Sequence, residues 1–404
     1  MKRKKIRALC ALFLCACSLS AQNFRDDAPG IVSRAAALID AETGTVLYEK
    51  NPDLEIPPAS LTKLMTMHIV FREIAAGRAS LDETVPLPPE SWAENQPPGS
   101  SLMFLGPGQR VNLRELLLGL AVSSGNDAAV AAALRFAPAV RDFAGIMNAE
   151  ARRMGLVKTR FTEPSGISEN NITTAGEFAA FCREYVRQHP ESLSAFHSAP
   201  EFAYPSASNA ETGTRNRPRT IVQRNRNTLL RNFPGADGLK TGYIDESGYN
   251  IALTAKREET RFIAVLLGAP SGPGGEAARD SDGRRLLSWA FEHFRTMRPL
   301  VKLEPARLWK GKSDWARLVP AEPLPFTVPA GRGISPAYTV EITDPLVAPL
   351  PEGYRAGTLV ISDEYGELRR VPLVTREAYE EGGFFKRMGD GVKMLFRPKK
   401  TGMN

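Results

Sequence analysis

The chain has 404 residues, 43% of them hydrophobic and 24% charged, and a formal net charge of +7. Those proportions exclude a disordered or fibrous polypeptide and leave room for two folded domains. The basic excess sits at the two ends, residues 1–21 and 383–404, while 22–382 is net acidic, which gives no reason to expect nucleic-acid binding.

Lys2, Arg3, Lys4, Lys5 and Arg7 precede an apolar run, Ala8–Cys17, followed by the small residues Ser18, Ser20 and Ala21. This is the layout of a secretory signal peptide over 1–21, with an apolar part too short to span a bilayer. A retained anchor and lipid attachment at Cys17 are the alternatives for the same segment. Cys10, Cys15 and Cys17 fall inside it, so an exported chain keeps only Cys182 and no internal disulfide. Its apolar helical neighbours Phe178, Phe181 and Tyr185 mark Cys182 as a buried, inert thiol.

Beyond the signal, Ala35–Tyr48 reads as a hairpin around Ala41-Glu42-Thr43-Gly44. Pro57-Pro58-Ala59 ends it and opens a helix whose Leu61, Leu64, Met65, His68, Ile69 and Phe71 give a broad apolar face. A second helical stretch, 111–136, is interrupted near Ser123–Asn126, and Ala139–Met154 and Ala175–Gln188 are amphipathic helices. From Gly238 the period becomes two: Gly238–Tyr243, Tyr249–Lys256 and Arg261–Gly268 read as strands joined by tight turns, which makes their sheet antiparallel. A helix follows over Asp282–Thr296. Past Pro299 prolines crowd in, and the alternating runs Tyr338–Ile342, Thr358–Ser362 and Leu368–Val374 read as a small β domain.

Three short strings carry the chemistry. Ser60 and Lys63, three apart on a helix, share one face, so a lysine with a lowered pKa can take the serine's proton. Ser124-Gly125-Asn126 breaks a helical run; its hydroxyl can relay a proton and its amide can hold a carbonyl, although the same residues suit a helix cap. Lys240-Thr241-Gly242 opens a strand, where the glycine lets a substrate backbone approach. Strict alternation puts Lys240 and Gly242 on one face and Thr241 on the other, so lysine and threonine can line one cleft only from a twisted edge strand. An exposed basic edge strand is the competing reading.

In this order the strings resemble the signature of penicillin-binding proteins and serine β-lactamases. The chain is similar to the D-alanyl-D-alanine carboxypeptidases among low-molecular-mass penicillin-binding proteins, and Ile56–Thr66, Gly99–Leu105, Gln223–Asn227 and Ala236–Leu239 extend the likeness over nearly the whole exported chain. The resemblance implies an α/β, serine β-lactamase-like catalytic domain with an antiparallel sheet over 22–298. It also implies a small all-β domain over 299–378 and an amphipathic membrane-anchoring segment over 379–404. It implies Ser60, Lys63 and Ser124 as catalytic residues, and Asn126, Arg226, Lys240, Thr241, Gly242 and Tyr243 as substrate-binding residues. The Ser60 and Tyr243 amides would form the oxyanion hole, and Arg226 would lie near the substrate carboxylate. Tyr243 is bulkier than the position leads one to expect, and the polar stretch 211–220, with Arg215, Arg217 and Arg219, has no assigned role.

The expected activity is that of an exported serine carboxypeptidase trimming peptidoglycan stem peptides through an acyl-enzyme and bound by β-lactam inhibitors. No metal or organic cofactor is expected, since the four histidines have no zinc-ligand spacing. The rivals are a β-lactamase, which needs a carboxylate for its deacylating water and finds only Glu163 and Glu169 in Phe161–Thr174, a D,D-endopeptidase, and a non-catalytic wall-binding protein. In the last segment Phe384, Phe385, Met388, Val392, Leu395 and Phe396 recur near helical spacing between bases, as in a helix lying on anionic lipid. Gly389 and Gly391 weaken that helix in isolation, so its folding is expected to await the membrane; a helix packed on the β domain is the alternative.

Overall fold

A computed structural model describes residues 28–209, 219–331, 335–343 and 345–396. The signal segment, Cys17 and most of the 211–220 stretch lie outside the described residues. The chain divides into two compact units at His293/Phe294.

The larger unit is built on a five-stranded antiparallel sheet. Its strands are β1 (Ala35–Asp40), β2 (Val46–Lys50), β3 (Ala236–Ile244), β4 (Gly248–Arg257) and β5 (Thr260–Ala269), in the order β2-β1-β5-β4-β3. Both ends of the unit thus meet in one sheet, β1 pairing with β5 from Ala35↔Leu267 to Asp40↔Phe262. Alternation along β5 shows why it is apolar almost throughout: Ile263, Val265 and Leu267 face the main core, with Ala35, Ala37 and Ile39 of β1. The intervening residues are buried as well, and Phe262 meets Phe291 of the last helix edge-to-face at 4.8 Å. A strand covered on both faces has no solvated side to keep polar.

Five helices of this unit concern the site: α1 (Lys63–Ala75), α2 (Asn126–Phe136), α3 (Val140–Arg153), α4 (Ala175–Gln188) and α5 (Gly275–His293). α1 is buried from Lys63 to Phe71, so its polar residues must find partners inside. They do. Thr66 Oγ1 donates to the Pro164 carbonyl at 2.7 Å, and His68 lies between His189 (2.9 Å) and the Glu150 carboxylate (2.8 Å). Burial, and then repulsion from His68, push His189 down to about 4. Cys182 is free and buried, and burial pushes its thiol up, away from reactivity.

Two boundaries differ from the sequence reading. α5 starts at Gly275, not Asp282, and stops at His293, because Phe294–Met297 forms a strand paired with Phe326–Pro329 and so belongs to the second unit. Ser60 lies in a 3₁₀ turn, Ala59–Thr62, one step before α1 rather than inside it.

The second unit is a β structure. Its four-stranded sheet runs Leu318–Pro320, Gly366–Thr375, Arg355–Asp363, Ala337–Ile342, closing over Leu308, Phe326, Leu359, Ile361, Val371 and Leu373. A helix, α6 (Phe384–Leu395), follows.

One buried carboxylate fastens the start of the larger unit to α5. Asp282, 2% exposed, accepts from the amides of Val32 (3.0 Å) and Ser33 (2.8 Å) and from the Ser33 hydroxyl (2.7 Å). Asp282→Ala strands three donors and should cost about 3 kcal/mol, read as a lower denaturation midpoint for this unit. A shift below about 0.5 kcal/mol, the size of an ordinary surface change, would show that the carboxylate holds nothing.

Candidate active site

The Ser60 turn is gripped from two sides. Ala59 is held at φ +51, an unfavourable conformation for a residue with a Cβ, and presents Ser60, which is half-buried. Gly166 packs beneath it so closely that a Cβ there would stand 1.8 Å from the Ala59 carbonyl oxygen. Gly242 of β3 packs from the other side, where a Cβ would stand 2.9 Å from the Pro58 oxygen and 3.0 Å from the Ser60 nitrogen. In the sequence this glycine reads as one that admits a substrate backbone. What it admits here is the Ser60 turn.

Lys63 is fully buried behind Ser60. Its Nζ donates to Ser60 Oγ at 3.0 Å, to Asn126 Oδ1 at 2.8 Å and to the Ser165 carbonyl at 2.5 Å. Those acceptors come from the turn, from α2 and from the loop 163–171, and none is a carboxylate. Burial lowers the ammonium to about 7, opposed by Glu163 and assisted by Arg226.

Glu163 does not face the cleft as a free base. One of its oxygens accepts from the Ser165 amide and hydroxyl (2.6 Å each), the other from the Gly166 amide (2.6 Å) and Asn171 Nδ2 (2.8 Å). It shapes the loop that supplies the Ser165 carbonyl to Lys63 and Gly166 to the turn. Asp127 fixes a second segment in a comparable way. Its carboxylate accepts from the amides of Met103 (2.8 Å), Phe104 (2.7 Å) and Leu105 (3.0 Å). Neither acid has a structural part in the sequence reading.

The Ser124 string occupies a junction. Gly119–Ser123 is a π-helical turn, Ser124 sits left-handed at φ +59, and α2 begins at Asn126. Asn126 bridges Lys63 to Ser100, whose Oγ accepts from Asn126 Nδ2 at 3.1 Å. Ser124 is buried, yet Lys63 donates its three protons elsewhere.

β3 is the edge of the sheet, which resolves the problem of alternation: Lys240, Thr241 and Gly242 are all buried, while Tyr243 is exposed and lies against Tyr249 at 4.4 Å. The Tyr243 hydroxyl donates to Asp245 at 2.5 Å, so its bulk swings along the rim. Lys240 Nζ donates to its neighbour's carbonyl, Thr241 O, at 2.9 Å. Burial, then repulsion from Lys63 and Arg226, hold it well below its ordinary range. Behind the strand His197 Nδ1 donates to the Leu239 carbonyl (3.1 Å) and its Nε2 accepts from the Tyr185 hydroxyl (2.7 Å); burial pushes this imidazole down to about 3.

Residues 225–227 divide their labour. Asn225 Nδ2 donates to the carbonyls of His197 and Ala199, and Asn227 Nδ2 to Gly238, so both asparagines are structural braces. Arg226 between them is exposed and close enough to lower both lysines. A cleft of about 370 Å³ opens over the serine, lined by Ser60, Ser100, Asn126, Tyr243, Asp245 and Glu246 among others. The arrangement is a serine with an adjacent buried amine, beside a strand edge whose cations have no anion against them among the described residues. Such a cleft suits nucleophilic attack on an extended, negatively ended chain.

Known proteins share this organisation. The sequence family described as D-alanyl-D-alanine carboxypeptidase matches residues 22–271, and that described as the C-terminal domain of penicillin-binding protein 5 matches 294–381. The D-alanyl-D-alanine carboxypeptidase DacC of Escherichia coli (strain K12) is 34% identical over 395 residues, 95% of this chain and 94% of that one. DacA of the same strain is 32% identical over 410 residues, 98% of this chain and 96% of that one. Penicillin-binding protein 5 from Haemophilus influenzae superposes with a TM-score of 0.76 at 29% identity, covering 87% of this chain and 99% of that structure. By sequence and by fold, then, the chain belongs to the D-alanyl-D-alanine carboxypeptidase family of low-molecular-mass penicillin-binding proteins.

Proposed function

We propose that Ser60 is the nucleophile and Lys63 its base in a serine carboxypeptidase that removes the terminal D-alanine from peptidoglycan stem peptides. One observation carries this reading: a fully buried amine, lowered to about 7, stands 3.0 Å from the serine hydroxyl. At neutral pH a large fraction of such an amine is unprotonated, and across the same distance it accepts the proton that Ser60 Oγ loses on attack.

Oγ bonds to the carbonyl carbon between the last two D-alanines, and the carbonyl electrons move onto oxygen. The amides of Ser60 and Tyr243 receive that oxyanion; the contact of Gly242 with the Ser60 nitrogen supports the pairing by bringing strand and turn together. Collapse breaks the C–N bond, and the departing amine takes the proton held by Lys63, with the Ser124 hydroxyl as relay. Water, deprotonated by Lys63, attacks the ester; its C–O bond breaks and Ser60 Oγ takes that proton back. Asn126 holds the acyl amide, and Lys240, Thr241 and Arg226 meet the terminal carboxylate, an anion that answers the two cations. Penicillin enters by the same attack on its ring amide. A β-lactamase reading is disfavoured by Glu163, whose oxygens are engaged by loop donors.

The substrate places the site outside the cytoplasm, with residues 1–21 as the export signal and the C-terminal segment as a membrane contact. No helix among the described residues is long and apolar enough to cross a membrane. What supports a peripheral contact is α6, whose Phe384, Phe385, Met388, Val392 and Leu395 are all more than half exposed.

Three measurements test the reading. Ser60→Ala should abolish covalent penicillin labelling, seen by mass spectrometry, and D-alanine release; full labelling of that variant removes Ser60 from the mechanism. Acylation of the free enzyme should fall about tenfold per pH unit below about 7, because the base form of Lys63 disappears there, and level off above it. A flat profile between pH 5.5 and 8 would contradict the lysine's role. A stem peptide amidated at its C-terminus should turn over far more slowly than the free acid, whereas equal rates would point to an endopeptidase.

A further inference from the structure

α6 meets the second unit through its polar side. Asp390 is 1% exposed in a helix that is otherwise largely open to solvent. Its Oδ2 accepts from the Lys310 amide at 2.7 Å and from Lys386 Nζ, one helical turn back, at 2.9 Å. Its Oδ1 lies 3.7 Å from the Arg307 guanidinium. Lys386 also donates to Asp314, and Arg387 donates to Glu381 at 2.7 Å. The approach to the helix is tied down too. The Gly382 amide donates to Lys310 O at 2.8 Å, and a Cβ on Gly382 would stand 2.8 Å from the Gly311 oxygen.

The opposite side has no such partners. Phe384 is 67% exposed, Phe385 81% and Leu395 82%, with Met388 and Val392 between them. Soluble proteins rarely leave so many large apolar groups together in water. The polar groups that would ordinarily face solvent are used to hold the helix, and the apolar groups that would ordinarily face the unit point away.

We infer that the C-terminal helix is a preformed foot, clamped to the β unit by Asp390 with its apolar side turned outward toward anionic lipid. The inference rests on the membrane contact proposed above and adds to it. The sequence leads one to expect a segment, weakened by Gly389 and Gly391, whose folding awaits the membrane, with a helix packed on the β domain as the alternative. Both glycines have open space where a Cβ would be, so packing does not require them, and the clamp supplies the order that they withhold. A preformed helix meets lipid without an ordering cost, and a fixed one sets the attitude of the β unit on the surface.

The test uses the exported chain, residues 22–404, with phosphatidylglycerol/phosphatidylethanolamine vesicles and hydrogen exchange measured without lipid. In the parent protein the amides of 384–395 should be protected before any lipid is added. Asp390→Asn should remove that protection and weaken vesicle binding about tenfold, the scale of a lost hydrogen-bonded charge. Adding Gly389→Ala and Gly391→Ala to it should restore much of the binding by restoring helix propensity. Phe385→Ser with Leu395→Ser should do the reverse, keeping protection while losing vesicles, and every variant should hydrolyse a soluble tripeptide as the parent does. Free-peptide exchange rates in the lipid-free parent, or an Asp390→Asn variant unchanged in protection and binding, would overturn the clamp. A chain lacking 379–404 that still binds vesicles would instead overturn the membrane reading, while lipid-free protection of the full chain would still report on the clamp.

Discussion

A buried ammonium with no carboxylate in contact organises the larger unit. Lys63 is surrounded by a hydroxyl, a side-chain amide and a backbone carbonyl from three separate segments, and desolvation is only partly offset by those dipoles. A pairing carboxylate would have stabilised the charged form and removed the base. Under the proposed reading the arrangement accepts a poorly solvated amine in exchange for a usable base. Stability given up for reactivity is the usual relation between an active site and the scaffold that carries it.

The same logic extends to the second lysine. Lys240 is buried beside Lys63 and within reach of Arg226, so in the free protein each cation raises the cost of the others. Under the proposed reading a terminal carboxylate relieves Lys240 and Arg226 and leaves Lys63 without a pairing anion. Binding energy is then concentrated at the chain end, which is how an exopeptidase distinguishes an end from a middle. Asp245 and Glu246 line the cleft over Ser60 and put acidic charge on its rim.

Much of this was legible in the chain because the informative residues are local. The hairpin, the three strands from Gly238 and the three strings are short-range signals, and Ser60 and Lys63 lie within one turn of each other. What escaped is long-range. Glu163 reads only as a candidate acid for a β-lactamase's water until its loop is seen closing on Lys63, and Gly166 shows its purpose only through the Ala59 carbonyl, far away in sequence. Asp127 reads as a residue that follows a motif, not as the acceptor for three amides of the 103–105 segment. Period counting extends the last helix of the larger unit through Phe294–Thr296, because a strand partner at Phe326–Pro329 leaves no mark on the residues before it. Alternation along Lys240–Gly242 misleads for a related reason: the period states which side a residue takes, but not that both sides of an edge strand are covered.

That edge has a further meaning. Strand β3 ends the sheet, and an unpaired edge is normally a hazard to be blunted by charge, proline or a bulge. Under the proposed reading the hazard becomes the working surface. An extended chain laid along it would become, for the life of the complex, a sixth strand about 4.8 Å from β3, bonded through its main chain. Main-chain pairing is indifferent to side chains, so such an enzyme can process wall material of varied composition while demanding a fixed spacing between the chain end and the bond to be cut. Selectivity of that kind is a ruler's.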